Sequence, residues 1–432
     1  MSGQIGRLIP HILFSLTTVL VLVGLVTVYS AGAFYDYISI RNQWEKTVEE
    51  AITRATAPES VQDESVEPLQ TLKDLQAQSA TRRAGTLSTF LHQILWACIG
   101  FLALATTAMF DYPVWGRRIG WVIVGMLGLQ LLLTLIPPGT GWPVRSLFHY
   151  GAKSRLSILG FTIQPSEMAK LGLIIFTSWF LSRRVQEEKM SILSLCPVLF
   201  ILGPSIGMIL LEPDRGVAAH LCIAIALLWF FSGGKKGHFI TLSLLGSVAI
   251  GTMVAINEEA KSRVVNFVTG KPEFQYQQAL EGLSRGGLFG VGLGDGEGSL
   301  TLFGAHNDVI LAVIGEELGF IATAAVVLGY MGLILLGLRI SKSCDDPFGK
   351  ILALGITILL GSQALLNIAI TLNLLPPTGF TLPLLSAGGA SMVTTMAGIG
   401  ILINISLSTH EHLLDSRKRA KVGGVRVWGV TA

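Results

Sequence analysis

Carboxylates and cations recur in this chain where the flanking sequence is strongly apolar: Arg155, Glu167, Lys170, Glu212, Asp214, Arg215, Arg263, Lys271, Glu273, His306, Asp308, Glu316 and Glu317. An ionisable side chain at or inside a bilayer is expensive, and by default it marks a functional site. Clustering favours a polar cavity. The bland alternative is internal pairing, with Lys170 against Glu167, Glu212 against Arg215, and Glu316 and Glu317 capping a helix or folding a bundle. A second feature is the run Gly286-Gly287-Leu288-Phe289-Gly290-Val291-Gly292-Leu293-Gly294. Its glycines let the backbone turn at positive φ, re-enter the membrane surface and expose N–H groups that an anionic head group could use. The run superficially resembles a dinucleotide fingerprint, but no strand precedes it and no βαβ unit surrounds it. Gly379 and Ser386-Ala387-Gly388-Gly389, after Pro376-Pro377, suggest a similar turn.

The elements that must position these groups are apolar helices. The chain has 432 residues, 51% hydrophobic and only 14% charged, against about 25% charged in a soluble domain. Runs of the roughly 20 residues needed to cross a bilayer core fall at about 10–31, 90–110, 118–136, 166–182, 191–211, 216–232, 238–256, 307–338, 349–373 and 385–408. The first exceeds a usual signal-peptide core and is read as a retained helix. The expected fold is all-α: one polytopic membrane domain of about ten transmembrane helices.

Charge sets the orientation. With the amino terminus cytoplasmic, the short inner loops hold Arg117, Arg118, Arg183, Arg184, Lys189, Lys235, Lys236, Arg339, Lys342 and Lys350, and the 409–432 tail adds Arg417, Lys418, Arg419, Lys421 and Arg426. The outer turn 374–384 has no charge. Both termini are therefore expected to be cytoplasmic. The ionisable cluster then lies on the outer side.

Three outer segments remain. Segment 34–88 is polar and acidic, with Trp44, Val48, Ala51, Ile52 and Ala55 at helical spacing, so it reads as an extramembrane insertion holding a short amphipathic helix. That helix suits the membrane surface or a partner-docking face. Segment 137–165 ends in Gln164-Pro165-Ser166-Glu167, a helix-start signal. Segment 257–306 is a long loop of the kind that is usually functional or disordered. Net charge is only +3, and no basic stretch is interleaved with aromatics, so nucleic acid is not expected as a partner. Cys98, Cys196, Cys222 and Cys344 stand singly without metal-ligand spacing.

In this order and topology the motifs resemble the SEDS family (shape, elongation, division and sporulation) over nearly all of residues 10–408. Val28-Tyr29-Ser30-Ala31 looks like the end of the family's first helix. Gly151-Ala152-Lys153-Ser154-Arg155 and Gln164-Pro165-Ser166-Glu167-Met168-Ala169-Lys170 look like its third and fourth helix signature, and Glu212-Pro213-Asp214-Arg215-Gly216 like its Gln-Pro-Asp-x-Gly turn with glutamate for glutamine. Most specific are Tyr276-Gln277, Gly286-Gly287-Leu288-Phe289-Gly290, His306-Asn307-Asp308, Ile314-Gly315-Glu316-Glu317-Leu318-Gly319 and Leu382-Pro383-Leu384-Leu385-Ser386-Ala387-Gly388-Gly389.

The resemblance implies an inverting glycosyltransferase in the bacterial inner (plasma) membrane. Such an enzyme polymerises lipid II with a class B penicillin-binding transpeptidase, among division- or elongation-complex membrane proteins. In that reading an outer-loop carboxylate activates the acceptor hydroxyl while cations stabilise the departing lipid pyrophosphate. The family's Asp-Pro before Tyr-Gln stands here as Lys271-Pro272, which leaves Glu273 as the nearest carboxylate and Asp308 as the second candidate base. The implied substrate-binding set is Arg155, Gln164, Ser166, Glu167, Lys170, Asp214, Arg263, Gln277, His306, Glu316, Ser386, Gly388 and Gly389. No cofactor is required by the motifs, and a divalent cation stays open. The insertion 34–88 is larger than most members carry, and Ala387 stands where tyrosine is common. Two other readings stay open, a non-catalytic scaffold for the transpeptidase and a lipid flippase. So does the branch: Leu374-Leu375-Pro376-Pro377-Thr378-Gly379 looks like the division branch and Met396-Ala397-Gly398-Ile399-Gly400 like the elongation branch.

Overall fold

The computed structural model describes residues 8–31, 90–135, 144–149, 152–158, 161–187, 196–211, 215–271, 273–296 and 308–423. Each of the ten apolar runs is a helix. These are α1 (Leu8–Ala31), α2 (Phe90–Met109), α4 (Ile119–Leu135), α5 (Pro165–Gln186), α6 (Cys196–Leu211), α7 (Arg215–Phe231), α8 (Lys236–Ile256), α11 (Ile310–Ser343), α12 (Pro347–Thr371) and α13 (Gly389–Gly423). Three further helices are α3 (Pro113–Arg117), α9 (Glu258–Val268) and α10 (Phe274–Gly286). By length and composition alone, α1, α2, α11, α12 and the first 22 residues of α13 can each cross a membrane. The chain is a multi-pass membrane protein.

Helix α12 is the hub, packing against α11, α5, α7 and α13. Lipid is as apolar as leucine, so helices in a bilayer gain from close approach and internal hydrogen bonds rather than from leaving water. The bundle uses both. At Gly400 of α13 a side chain would collide with Thr107 and Leu104 of α2. Thr107 Oγ1 also donates to Ala397 O at 2.9 Å, and Asn404 Nδ2 to Ala108 O at 2.9 Å. Helix α1 is built into the bundle through buried Leu13, Leu20, Val21 and Val28.

The expected inner residues gather at one end. Tyr112 faces Phe348 with ring centroids 6.2 Å apart, Gly116 lies against Trp179 and Phe348, and Arg183 sits 4.3 Å over the Trp179 ring. At the opposite end Ser30 reaches Glu317, and Gln93 reaches Ser386.

One addition lies outside an all-α reading. Segment 137–165 carries a three-stranded antiparallel sheet, β1 (Val144–His149), β2 (Ala152–Ile158) and β3 (Phe161–Ile163), in the order β1-β2-β3. In the sequence Gly151 and Gly160 stand between these strands, a hairpin signal that a search for long apolar runs does not weigh. The insertion 34–88, with its expected amphipathic helix, lies outside the described residues. Its flanks meet, since the Tyr29 and Phe90 rings are 4.8 Å apart. The expected tail begins inside α13, which continues as helix to Gly423.

Candidate functional site

Helix α5 starts with Pro165 at its first turn, where the missing N–H costs nothing, after extended Gln164. This start carries Ser166, Glu167 and Lys170 into the interior at 0%, 6% and 2% exposure. Glu167 and Lys170, three residues apart, share one helix face, and Lys170 Nζ lies 2.8 Å from Glu167 Oε1. The ammonium also donates to Gln363 Oε1 on α12 at 2.8 Å. A buried charge is tolerable only when paired and hydrogen-bonded, and here it is both.

Gln363 passes the link outward, donating from Nε2 to Thr381 O at 3.1 Å. One turn along α12, Asn367 Nδ2 donates to Asp308 O at 2.8 Å and to Phe380 O at 2.5 Å. Two side-chain amides thus fasten α5, the start of α11 and the last outer turn to one helix. Inward of them is a small cleft lined by Glu167, Lys170, Gln363, Thr394 and Thr395 among aliphatic side chains. Its volume of about 20 Å³ holds little more than one water molecule.

The outer turn is tightly made. Leu384 has φ +71°, uncommon for a non-glycine residue, and its neighbours hold it there. Ser386 Oγ accepts from Leu382 N at 2.8 Å, Gln93 Nε2 donates to Ser386 O at 3.3 Å, and the Tyr330 hydroxyl donates to Pro383 O. Gly388 N donates to Ser386 O at 2.8 Å. Gly389 has no side chain to collide with the Trp96 ring lying against it. Ser386, Gly388 and Gly389 therefore shape the turn that receives the two amides.

Above this frame sits the outer loop. Glu273 occupies the N-cap position of α10, and its carbonyl accepts from Tyr276 N and Gln277 N at 2.9 and 3.1 Å. Its carboxylate does not cap the helix but lies 3.4 Å from Arg263 Nε on α9, with both side chains about one-third exposed. Tyr276, 4% exposed, is held above the ordinary phenol range by burial, then by the negative charges of Asp308 and Glu273, against an opposing effect of Arg263. These four groups share one neighbourhood. Tyr276 keeps its proton there.

The glycine run works differently from its expectation. Helix α11 is broken at Gly319, with φ +78° and ψ −176°. The run fills the break: Val291 N and Gly292 N donate to Glu316 O and Glu317 O at 2.9 and 3.0 Å, while Phe320 N and Ile321 N donate to Gly287 O and Leu288 O at 2.9 and 3.3 Å. A side chain at Gly290 or Gly319 would strike the opposing backbone. The N–H groups of residues 290–292 are thus spent inside the protein rather than offered to a head group. Beside the break, buried Glu316 meets Arg285 Nη2 at 3.0 Å, and Glu317 Oε1 accepts from Ser30 Oγ at 2.9 Å.

The sequence-expected residues thus fall into three groups: Glu167 and Lys170 in the buried frame, Arg263, Glu273 and Asp308 around Tyr276, and Glu316 at the helix break. Gln277 is exposed and donates to Glu281 at 3.1 Å on its own helix. Arg155 pairs with Leu147 in the sheet by backbone position. Asp214 and His306 lie outside the described residues. Among the described residues no group of three or more His, Cys, Asp or Glu side chains is placed to hold a metal ion. Sequence reading passed over Gln363 and Asn367. Their signal was two amides one helical turn apart inside an apolar run.

Known proteins resemble this chain in sequence and in fold. A family model described as cell cycle protein, that of FtsW, RodA and SpoVE, matches residues 71–411. The chain belongs to this family, the SEDS family. A probable peptidoglycan glycosyltransferase FtsW from Geobacter sp. (strain M18) is 34% identical over 322 residues, covering 73% of this chain and 85% of that one. Stage V sporulation protein E of Bacillus subtilis (strain 168) is 31% identical over 321 residues, covering 73% and 86%. The crystal structure of the Thermus thermophilus rod shape determining protein RodA shares the fold at a TM-score of 0.59, 20% identical and covering 92% of this chain and 96% of that one. A chain from a structure on the coordination of polymerization and crosslinking by a peptidoglycan synthase complex matches with the same score at 21% identity, covering 74% and 90%.

Proposed function

We propose that this SEDS protein is a peptidoglycan glycosyltransferase that polymerises lipid II at the outer face of the bacterial inner membrane. The observation that carries this reading is the meeting of Arg263, Glu273, Tyr276 and the start of α11 at Asp308, directly over the frame that holds Lys170. Such a set offers what glycosyl transfer to a sugar hydroxyl needs. A carboxylate accepts the hydroxyl proton as the oxygen attacks the donor's anomeric carbon, and the carbon–oxygen bond to the lipid pyrophosphate breaks. Cations near the leaving phosphates stabilise the charge that develops. Relatives that are 30% or more identical and named as probable peptidoglycan glycosyltransferases support the same reading.

Glu273 is the base in this proposal. It sits two residues beyond Lys271, at the N-cap of α10, and Arg263 orients its carboxylate. Asp308, whose carbonyl is fixed by Asn367, is the second candidate. Arg263 is the cation exposed enough to meet a phosphate directly, while Lys170 is held in the buried frame. A class B transpeptidase is the proposed partner, in keeping with the likeness to a chain from a peptidoglycan synthase complex. The scaffold reading draws on Lys271, an exposed residue that offers no carboxylate at the position where the resemblance expects the family's aspartate.

Purified protein given lipid II tests the reading. Glycan polymer is the expected product, with or without a transpeptidase. Retention of a transpeptidase with no polymer under any condition would make the chain a scaffold, and lipid II crossing vesicles without polymer would make it a flippase.

A further inference from the structure

The break in α11 lies at a particular height. As one rod, its 34 residues would extend about 51 Å, far more than a hydrocarbon core of about 30 Å. The inner boundary is marked by Arg339 and Lys342, and Phe320 lies about 29 to 33 Å up the helix from them, so Gly319 falls at the outer edge of the hydrocarbon. The glycine run is bonded to this break and shares its depth. From the run project Leu288 and Phe289, 61% and 81% exposed, and beside them on α11 are Phe320 and Ile321 at 63% and 54%. The same exposed surface continues down α11 through Leu328, Met331 and Leu335.

Irregular backbone is excluded from lipid because its N–H and C=O groups lack partners. Here much of that objection is met around the tip. The amides of Gly290, Val291 and Gly292 and the carbonyls of Gly286, Gly287 and Leu288 are all hydrogen-bonded to the run itself or to the broken helix. A loop whose flanking backbone is bonded to the broken helix, with two large apolar side chains at its apex continuous with a lipid-facing helix, is suited to hydrocarbon rather than water.

We propose that Leu288 and Phe289 form a wedge inserted into the acyl region of the outer phospholipid leaflet. The wedge fixes the depth of the outer loop. Through the bonds to Glu316 O and Glu317 O it holds the Arg285 and Glu316 pair at the level where lipid-borne phosphates lie. This inference rests on the membrane fold and not on the polymerase reading, and its test needs no activity.

The test is photo-crosslinking of the full-length protein in native membranes, with Phe289→benzoylphenylalanine and, as a second position, Leu288→benzoylphenylalanine. Exposed Lys271 of the same outer segment serves as reference, as Lys271→benzoylphenylalanine. After illumination and purification, intact mass should show adducts of phospholipid mass at 288 and 289, several-fold above the reference. A protein adduct at 288 and 289 would assign the surface to a partner helix and overturn the proposal. Absence of any adduct at both positions, or equal lipid adducts at Lys271, would overturn it as well.

Discussion

Lys170 and Arg263 are both cations beside a glutamate, and they are built for different work. Lys170 is 2% exposed and held by two partners at 2.8 Å, whereas Arg263 shares a 3.4 Å contact with Glu273 in which both side chains are about one-third exposed. The buried pair cannot move without uncovering charge in a low-dielectric interior. The outer pair can open at little cost to the fold, which is what a carboxylate needs if it is to turn toward a substrate hydroxyl. On the proposed function the inner pair is frame and the outer pair is chemistry.

The largest effect that could break this distinction is on stability. Lys170→Ala strands Glu167 in the interior and should cost about 3–5 kcal/mol, while Arg263→Ala should cost within about 1 kcal/mol. Thermal unfolding of both purified variants measures the difference, and equal losses would erase it. Next comes the tie between frame and turn. Gln363→Ala removes the acceptor for Lys170 and the donor to Thr381 and should cost about 1–3 kcal/mol. Loss of that donor should also give faster hydrogen exchange over residues 380–388, and parental exchange there would break the tie between frame and turn.

A smaller effect concerns pH. The folded state raises the Tyr276 phenol above its unfolded value of about 10. Its contribution to stability is therefore complete below about pH 10 and is lost as pH rises further, because the unfolded chain ionises first. Tyr276→Phe should change the melting temperature by the same amount throughout about pH 6 to 9 and should flatten the decline above pH 10. A difference that varies with pH around neutrality would mean that the phenol ionises there. Smallest of all should be removal of 34–88. Its flanks already touch through Tyr29 and Phe90, so a short linker should preserve membrane insertion and melting, with any change confined to co-purification with the transpeptidase.

The sequence carried the helices well and the connections poorly. Ten apolar runs gave ten helices because the bilayer dictates their length and leaves few alternatives. The Glu167 and Lys170 pair was legible too, since spacing of three on a helix places both on one face. Neither the bond from Lys170 to Gln363 nor that from Arg285 to Glu316 could be read this way, because each joins helices distant in sequence. The glycine run shows the subtler limit. Its positive-φ turns were legible, but the use of its amides depended on a break at Gly319 within what read as one continuous apolar run. The sheet at 144–163 went unseen because short strands leave a far weaker signal than a membrane helix.

Whether the outer pair is the chemistry can be decided by one substitution. Glu273→Gln keeps the shape and the contact to Arg263 but removes the basic oxygen. Polymerisation of lipid II by this variant, measured beside the parent with lipid II binding followed in the same preparation, tests the assignment directly. A loss of about 10²- to 10⁴-fold in rate is expected, with binding and melting temperature retained. Polymerisation by Glu273→Gln at the parental rate would contradict it and pass the role of base to Asp308.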